Sequence, residues 1–268
     1  MILTEINIYP VKSTRRIALD AAEVLARGLR WDRNWMLVDS DGEFITARTH
    51  PTLACVDTAL GSDSLRISVN GGAAIELPLH SDTPDTLSVR VWRDRCEASP
   101  AGREADAWFS DYLGMDCRLV RIRDDLRRDV DPAYGRRGDE VSFADGFPLL
   151  VIGAASLRDL NSRLAEPVPM TRFRPNLVVD GAEPYVEDNW RRFRVGAVEF
   201  EGVKHCGRCV FTTVDPATGI RDPQQEPLRT LAGYRKTAGG RVLFGQNLIP
   251  RKSGVIRIGD RIEILELA

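Results

Sequence analysis

The chain has 268 residues, 43% of them hydrophobic and 28% charged, with a formal net charge of −2. That length supports one large domain or two modest ones, and the ordinary balance of residue types excludes a disordered or collagen-like chain. A charge so near zero lacks the strong basic field of a non-specific nucleic-acid binder, so no nucleic-acid partner is expected.

The longest nearly apolar run, 147–155, is interrupted by Pro148 and Gly153 and is far shorter than a membrane helix. The first residues, Met1-Ile2-Leu3-Thr4-Glu5, carry no basic leader and no apolar core of a secretory signal. No membrane partner and a cytoplasmic location are expected. The five cysteines (55, 96, 117, 206 and 209) form an odd set at spacings unlike a disulfide framework, which fits a reducing compartment.

From residue 1 to about 95 the runs are short and strand-like: 4–11, 23–25, 35–39, 44–47, 65–69, 75–79 and 87–92. Asp41-Gly42 and Asn70-Gly71-Gly72 supply hairpin chemistry between them. Such spacing predicts a small antiparallel barrel or sandwich. Around Ala101 the character changes, because Ala105, Trp108, Phe109, Tyr112 and Leu113 recur at helical spacing and Gly114 offers a stop. A boundary near 97–101 divides the chain into domains 1–98 and 99–268.

The stretch 123–140 holds five positive and six negative side chains with one Pro and two Gly, and is expected to be a solvated mobile loop, with a lid over a pocket as the alternative. A buried strand is expected at 149–152, then a helix opened by Ser156 and continued through Leu157, Leu160 and Leu164. Strand signals resume at 176–179, 194–200, 210–214, 241–248, 255–258 and 261–265, with one short helix at 226–234 carrying Pro227 in its first turn. The expected fold class is mainly β, with barrel character and a few short helices.

The densest candidate for chemistry is Lys204-His205-Cys206-Gly207-Arg208-Cys209. A redox dithiol belongs at a helix N-terminus, whereas the residues that follow, Val210-Phe211-Thr212-Thr213-Val214, favour a strand. A zinc site needs a second ligand pair, and His50 and His80 lie far away in the first half, leaving only His205 nearby. Two readings of these residues stand level. One is a thiolate beside Arg208 and Lys204, acting as soft-metal ligand or nucleophile, and the other is a pair of half-buried thiols on a strand edge. Cations also recur near turns and strand ends: Lys12-Ser13 after Tyr9-Pro10-Val11, Arg33 before Trp35, and Arg174 before Pro175-Asn176. Pro175 is expected to hold Arg174 extended. Guanidinium forks converging from several elements suit a phosphate, while each cation taken alone suits an ordinary surface charge.

Taken together, Tyr9-Pro10-Val11-Lys12-Ser13, Asp32-Arg33-Asn34-Trp35, Phe173-Arg174-Pro175-Asn176, Cys206-Gly207-Arg208-Cys209 with Thr212 to Pro216, and Phe244-Gly245-Gln246-Asn247 resemble the MOSC-domain proteins. The likeness is closer to the subgroup with an N-terminal MOSC β-barrel that includes amidoxime-reducing components, and it runs through essentially the whole chain. The resemblance implies a molybdenum cofactor (Mo-molybdopterin), with Cys209 as metal ligand and catalytic residue. It implies that Lys12, Ser13, Arg33, Arg174 and Asn176 bind the pterin or its phosphate. Gly146, Phe147, Gly207, Arg208 and Asn247 border the same site. The chain departs from the animal pattern at Gly207, where a Ser is usual, at Asn247, where a Tyr is usual, and at Thr14-Arg15-Arg16, which lack the family's small residue and Gly.

The activity implied is reduction of an N-oxygenated small-molecule substrate. A persulfide or cofactor carrier is the competing reading, and a barrel that has lost its cofactor is a third. Only Cys206 and Cys209 are close in sequence, so no four-thiolate iron–sulfur set is present, and no Gly-x-Gly-x-x-Gly turn marks a nicotinamide or flavin dinucleotide. A ferredoxin domain after Ala268 is not expected. Electrons are therefore expected from a separate ferredoxin-like or reductase partner.

Overall fold

The computed structural model describes residues 1–80, 83–123 and 125–268. Strands dominate, joined by three α-helices and several short 3-10 turns among the described residues. An eight-stranded sheet runs in the order Ile262–Leu267, Trp190–Val195, Val198–Arg208, Val242–Pro250, Leu149–Gly153, Leu177–Asp180, Ile2–Ile8 and Ile17–Leu19. Its neighbours pair antiparallel except Leu149–Gly153 with Leu177–Asp180, a parallel pair bridged by helix Ala154–Asn161. A five-stranded sheet runs Leu87–Val91, Asp94–Pro100, Arg118–Arg121, Trp35–Val38 and Phe44–Ile45, and two three-stranded sheets complete the β framework. The mainly β expectation is met. No helix among the described residues is long and apolar enough to cross a membrane.

Alternation explains most of the strands. In Ile75–Pro78 the pattern buried-exposed-buried-exposed puts Ile75 and Leu77 in the core. The hairpins fall where turn residues announce them. Asn70 and Gly71 both have positive φ (49° and 71°), the twist that matches antiparallel strands. At Gly42, φ is +77° and a Cβ would meet the Ser88 carbonyl oxygen at 2.7 Å, so the second turn needs glycine for both conformation and space.

Two large apolar clusters anchor the molecule. One joins Leu3, Ile6 and Ile8 to Trp190, Phe193 and Phe200. The other joins Trp35, Leu53 and Leu65 to Ala105 and Phe109 of helix Arg103–Leu113. That helix and strand Arg118–Arg121 lie after the change in sequence character near 97–101, yet they pack with the first-half strands. Strand Ile2–Ile8 crosses the other way, pairing with Leu177–Asp180 in the large sheet.

Several local expectations fail for identifiable reasons. Residues 194–200 form a hairpin rather than one strand, with Trp190–Val195 folding back on Val198–Arg208 through Gly196. Ser156 does not cap its helix: Gly153 is the cap residue, and the Ser156 hydroxyl donates instead to the buried Glu187 carboxylate at 2.7 Å. Residues 210–213 form a 3-10 turn, not a strand. Its threonine hydroxyls bond backward, Thr212 Oγ1 to the Cys209 carbonyl at 2.9 Å and Thr213 Oγ1 to that of Val210 at 2.7 Å, and this local alternative outcompetes strand pairing.

The charged stretch 123–140 is not a free solvated loop over its described residues. Arg128 is buried and donates to the carbonyls of Ser142 (2.9 Å), Ala144 (2.5 Å) and Asp145 (3.0 Å) while pairing with Asp94. Val130 packs with Val141, Ala144 and Ile249. The mixed charges find partners outside the stretch, Arg136 on Glu201 and Asp139 on Arg251, so a composition that suggests solvation instead staples the segment down.

Candidate functional site

One cleft, opening about 820 Å³ of space, gathers residues from both halves of the chain. All eleven site residues named from the sequence line it: Lys12, Ser13, Arg33, Gly146, Phe147, Arg174, Asn176, Gly207, Arg208, Cys209 and Asn247. Sequence reasoning missed Arg48, Asp145 and Arg172 as lining residues. None of the three carries a local signal, because each reaches the cleft through tertiary placement alone.

The first wall comes from turns that follow the first strands. Ser13 and Arg33 sit at positive φ (77° and 49°), which turns their side chains out of the extended run. Ser13 Oγ accepts from the Ala47 amide at 3.1 Å, leaving its proton available to the cleft. Lys12 is buried and donates to the Phe143 carbonyl (2.7 Å) and Asp145 (2.5 Å). Burial lowers its ammonium to about 8, with Asp145 opposing the shift. Arg33 donates to the buried Asp32 at 2.5 Å and to Asn176 Oδ1 at 3.1 Å.

Asn176 proves to be a support rather than a free ligand group. Its Oδ1 also accepts from the Leu150 amide (3.1 Å) and one Nδ2 proton goes to the Asn7 carbonyl (3.1 Å), which fixes the amide in place. Arg174 is not extended before Pro175. It has φ +58°, and its guanidinium donates to the Thr14 carbonyl at 2.6 Å while lying 4.0 Å from the Tyr9 ring centre, with Arg33 at 4.2 Å from the same ring. Desolvation pushes Arg174 down to about 10, against the pull of Tyr9. A buried cation of this kind is poised to gain from an anion.

The second wall ends strand Val198–Arg208. Alternation puts Cys206 and Arg208 on one face, where Arg208 Nη1 donates to Cys206 Sγ at 3.0 Å and Nη2 to the Phe173 carbonyl at 2.6 Å. The strand stops there and the 3-10 turn begins, so Cys209 faces the same cleft and its sulfur accepts from Arg48 Nε at 3.3 Å. His205 points elsewhere, with Nε2 3.0 Å from the Asp188 carbonyl, and no group of three His, Cys, Asp or Glu among the described residues is arranged to hold a metal by itself. That removes the Cys-Cys-His zinc arrangement. Gly207 has room for a side chain, the nearest atom to a Cβ there being Arg241 Cδ at 3.9 Å. Gly245, by contrast, is required in Phe244-Gly245-Gln246-Asn247: φ is +83° and a Cβ would meet the Val151 carbonyl oxygen at 2.8 Å. This close approach places Asn247 opposite Leu150, at the cleft, with no side-chain hydrogen bond among the described residues.

Six cations and a single carboxylate, Asp145, line the cleft. Asp145 bridges Lys12 and Arg48, the latter at 2.6 Å. Burial alone would raise its carboxyl, but the two cations outweigh that and hold it well below the usual carboxylate range. A cation excess around two thiols is a donor set for an anionic ligand carrying a soft metal, with guanidinium forks for phosphate oxygens and one sulfur for the metal. The residues therefore fit a phosphorylated metal cofactor. They do not fit a bare divalent cation.

Comparison with known proteins agrees with this chemistry. Residues 1–116 match the MOSC N-terminal beta barrel domain and residues 138–263 match the MOSC domain. Mitochondrial amidoxime-reducing component 1 of Mus musculus is 36% identical, the match covering 98% of this chain and 82% of that protein. The Homo sapiens protein of the same name is 34% identical with the same coverage. Mitochondrial amidoxime reducing component 2 of Bos taurus is 33% identical over 97% of this chain and 82% of its own length. Two matched domains in one order, and relatives aligned almost end to end, place the chain in the MOSC family, in the branch that holds the amidoxime-reducing components.

Proposed function

We propose that this chain is an oxidoreductase that holds a molybdenum cofactor and reduces N-oxygenated compounds such as amidoximes, with electrons from a separate ferredoxin-like or reductase protein. The observation that carries the reading is the Cys209 sulfur opening into the same cleft as Lys12, Arg33, Arg174 and Arg208. The relatives' names supply the substrate class. When bound, the cofactor supplies a metal that changes oxidation state by two electrons. Overall, an amidoxime, two electrons and two protons give an amidine and water as the N–O bond breaks.

Each residue has a definite part. Cys209 offers the metal a soft donor. Arg174 and Arg208 take the phosphate and pterin edge, Arg33 is held by Asp32 and Asn176, and Ser13 donates its hydroxyl proton. Asp145, held well below the usual carboxylate range, stays a carboxylate at neutral pH and so does not deliver the protons. Five unpaired cysteines support a reducing compartment, in keeping with a cytoplasmic setting.

The test is direct. Protein made in a host able to build the cofactor should carry close to one molybdenum per chain. It should reduce an amidoxime with dithionite-reduced viologen but not with NADH alone, until a reductase partner is added. Brisk NADH-driven turnover by the isolated chain overturns the separate-donor model, and zinc in place of molybdenum overturns the cofactor assignment. A thiol that gains labelled sulfur from a desulfurase, without stoichiometric metal, would make the chain a carrier.

A further inference from the structure

From the first half of the chain, Arg48 reaches the Cys209 sulfur with a hydrogen bond. It sits on a tight turn after strand Phe44–Ile45, where the amides of Thr49 and His50 bond to the Thr46 carbonyl at 3.0 and 2.9 Å. Its own carbonyl accepts from Arg221. Three constraints then fix the guanidinium. Nε donates to Cys209 Sγ at 3.3 Å, Nη2 donates to Asp145 at 2.6 Å, and the group lies 4.5 Å from the centre of the Trp92 ring. Trp92 in turn leans on Phe44, ring centres 4.9 Å apart, and remains 44% exposed at φ +59°. A large aromatic ring held out in water at a left-handed position needs a reason.

Nη1 of Arg48 makes no hydrogen bond among the described residues, although it is two covalent bonds from the nitrogen that touches the sulfur. Nε and Nη2 hold one edge of the guanidinium and Trp92 holds one face, so Nη1 of this cleft-lining residue is left as an oriented, unengaged donor for an oxygen. We propose that Arg48 is a substrate-binding residue whose Nη1 donates to the oxygen of the N–O group, and that Trp92 is the positioning residue that holds the guanidinium plane in place. The assignment rests on the reductase reading above. It adds a selectivity that the reading does not contain: Arg48 reads the oxygen of the N–O group, so the product, which lacks that oxygen and carries an amidinium charge in a cleft with a cation excess, binds more weakly and leaves.

Binding to the molybdenum-loaded protein in its oxidised form, with no electron donor present, isolates this contact from turnover. Benzamidoxime and benzamidine serve as the oxygenated and deoxygenated probes, titrated by calorimetry. Wild type should prefer benzamidoxime. Arg48→Gln, compared per molybdenum-loaded chain, should weaken benzamidoxime roughly tenfold or more, the range of a lost charge-assisted hydrogen bond, while benzamidine is not weakened. Arg48→Lys should recover part of the preference, and Trp92→Leu should show a smaller loss in the same direction. Equal weakening of both probes, no weakening of either, or molybdenum loss matching that of Cys209→Ala would overturn the proposal. If loaded wild type with reduced viologen leaves benzamidoxime intact, the reductase reading fails, and the two-probe comparison still decides whether Arg48 reads the oxygen.

Discussion

The two walls of the cleft are built on opposite principles. On the first wall Lys12 and Arg33 already have anionic partners inside the protein, Asp145 and Asp32, both at 2.5 Å, and Arg174 is anchored on the Thr14 carbonyl. On the second wall the sulfurs accept from guanidinium donors alone among the described residues, Cys206 from Arg208 and Cys209 from Arg48. The first wall is therefore preformed, and a ligand finds it without rearrangement. The second supplies the chemistry that varies with what is bound. Rigidity and reactivity are divided between elements that lie far apart in sequence.

The sharpest way to break this division is at sulfur. Cys209→Ala should lower molybdenum content at least about tenfold, whereas Cys206→Ala should be milder. Equal losses would make the two thiols one unit. Next comes the segment that presents Phe143 and Asp145 to the first wall. Arg128→Met strands three carbonyls that the guanidinium now satisfies, and should cost about 3 kcal/mol in a urea melt, with cofactor occupancy falling alongside.

Arg174→Ala and Arg33→Ala should each remove roughly 1.5–3 kcal/mol of phosphate binding, read as pterin released per chain, with the fold intact. Arg136→Ala, which removes an exposed guanidinium paired with Glu201 away from the cleft, should leave occupancy unchanged. If all three arginines behaved alike, the convergence of cations would be incidental.

The smallest effect should appear as a slope. The buried Lys12 ammonium is lowered from 10.5 to about 8, so between these values the unfolded chain holds a proton that the folded chain has released. Unfolding then takes up a proton, and ligand-free protein should gain stability as pH rises from about 8 to 10.5, at most on the order of 1 kcal/mol per pH unit. Lys12→Met should lack that gain. A wild-type minus variant difference that is flat over the window would place the Lys12 proton elsewhere.

How much of this could be read from the chain depends on where the information sits. The barrel strands were legible because alternation and turn residues act within a few positions, as in Ile75–Pro78 and at Asn70-Gly71. The eleven candidate site residues were named as a set through resemblance, and all of them line one cleft. The β-branched run 210–213 misled because backward bonds from Thr212 and Thr213 compete with a ladder, a choice that propensity does not encode. Arg174 misled because the tertiary anchor on Thr14 overrides the preference of a residue before proline. Arg48, Asp145 and Arg128 were silent for a deeper reason. No motif marks them in the sequence, and their meaning arises only when Cys209 and Ser142 arrive from elsewhere in the chain.

The crossing of strand Ile2–Ile8 into the large sheet has a consequence for dissection of the molecule. Leu177–Asp180 is flanked by Leu149–Gly153 on one side and by Ile2–Ile8 on the other. A fragment beginning at residue 99 would therefore leave one side of Leu177–Asp180 with unpaired amides and carbonyls along a buried apolar run, an aggregation template rather than a soluble module. Supplying residues 1–98 as a second polypeptide should restore solubility by strand complementation, so that the two pieces recover together what neither retains alone.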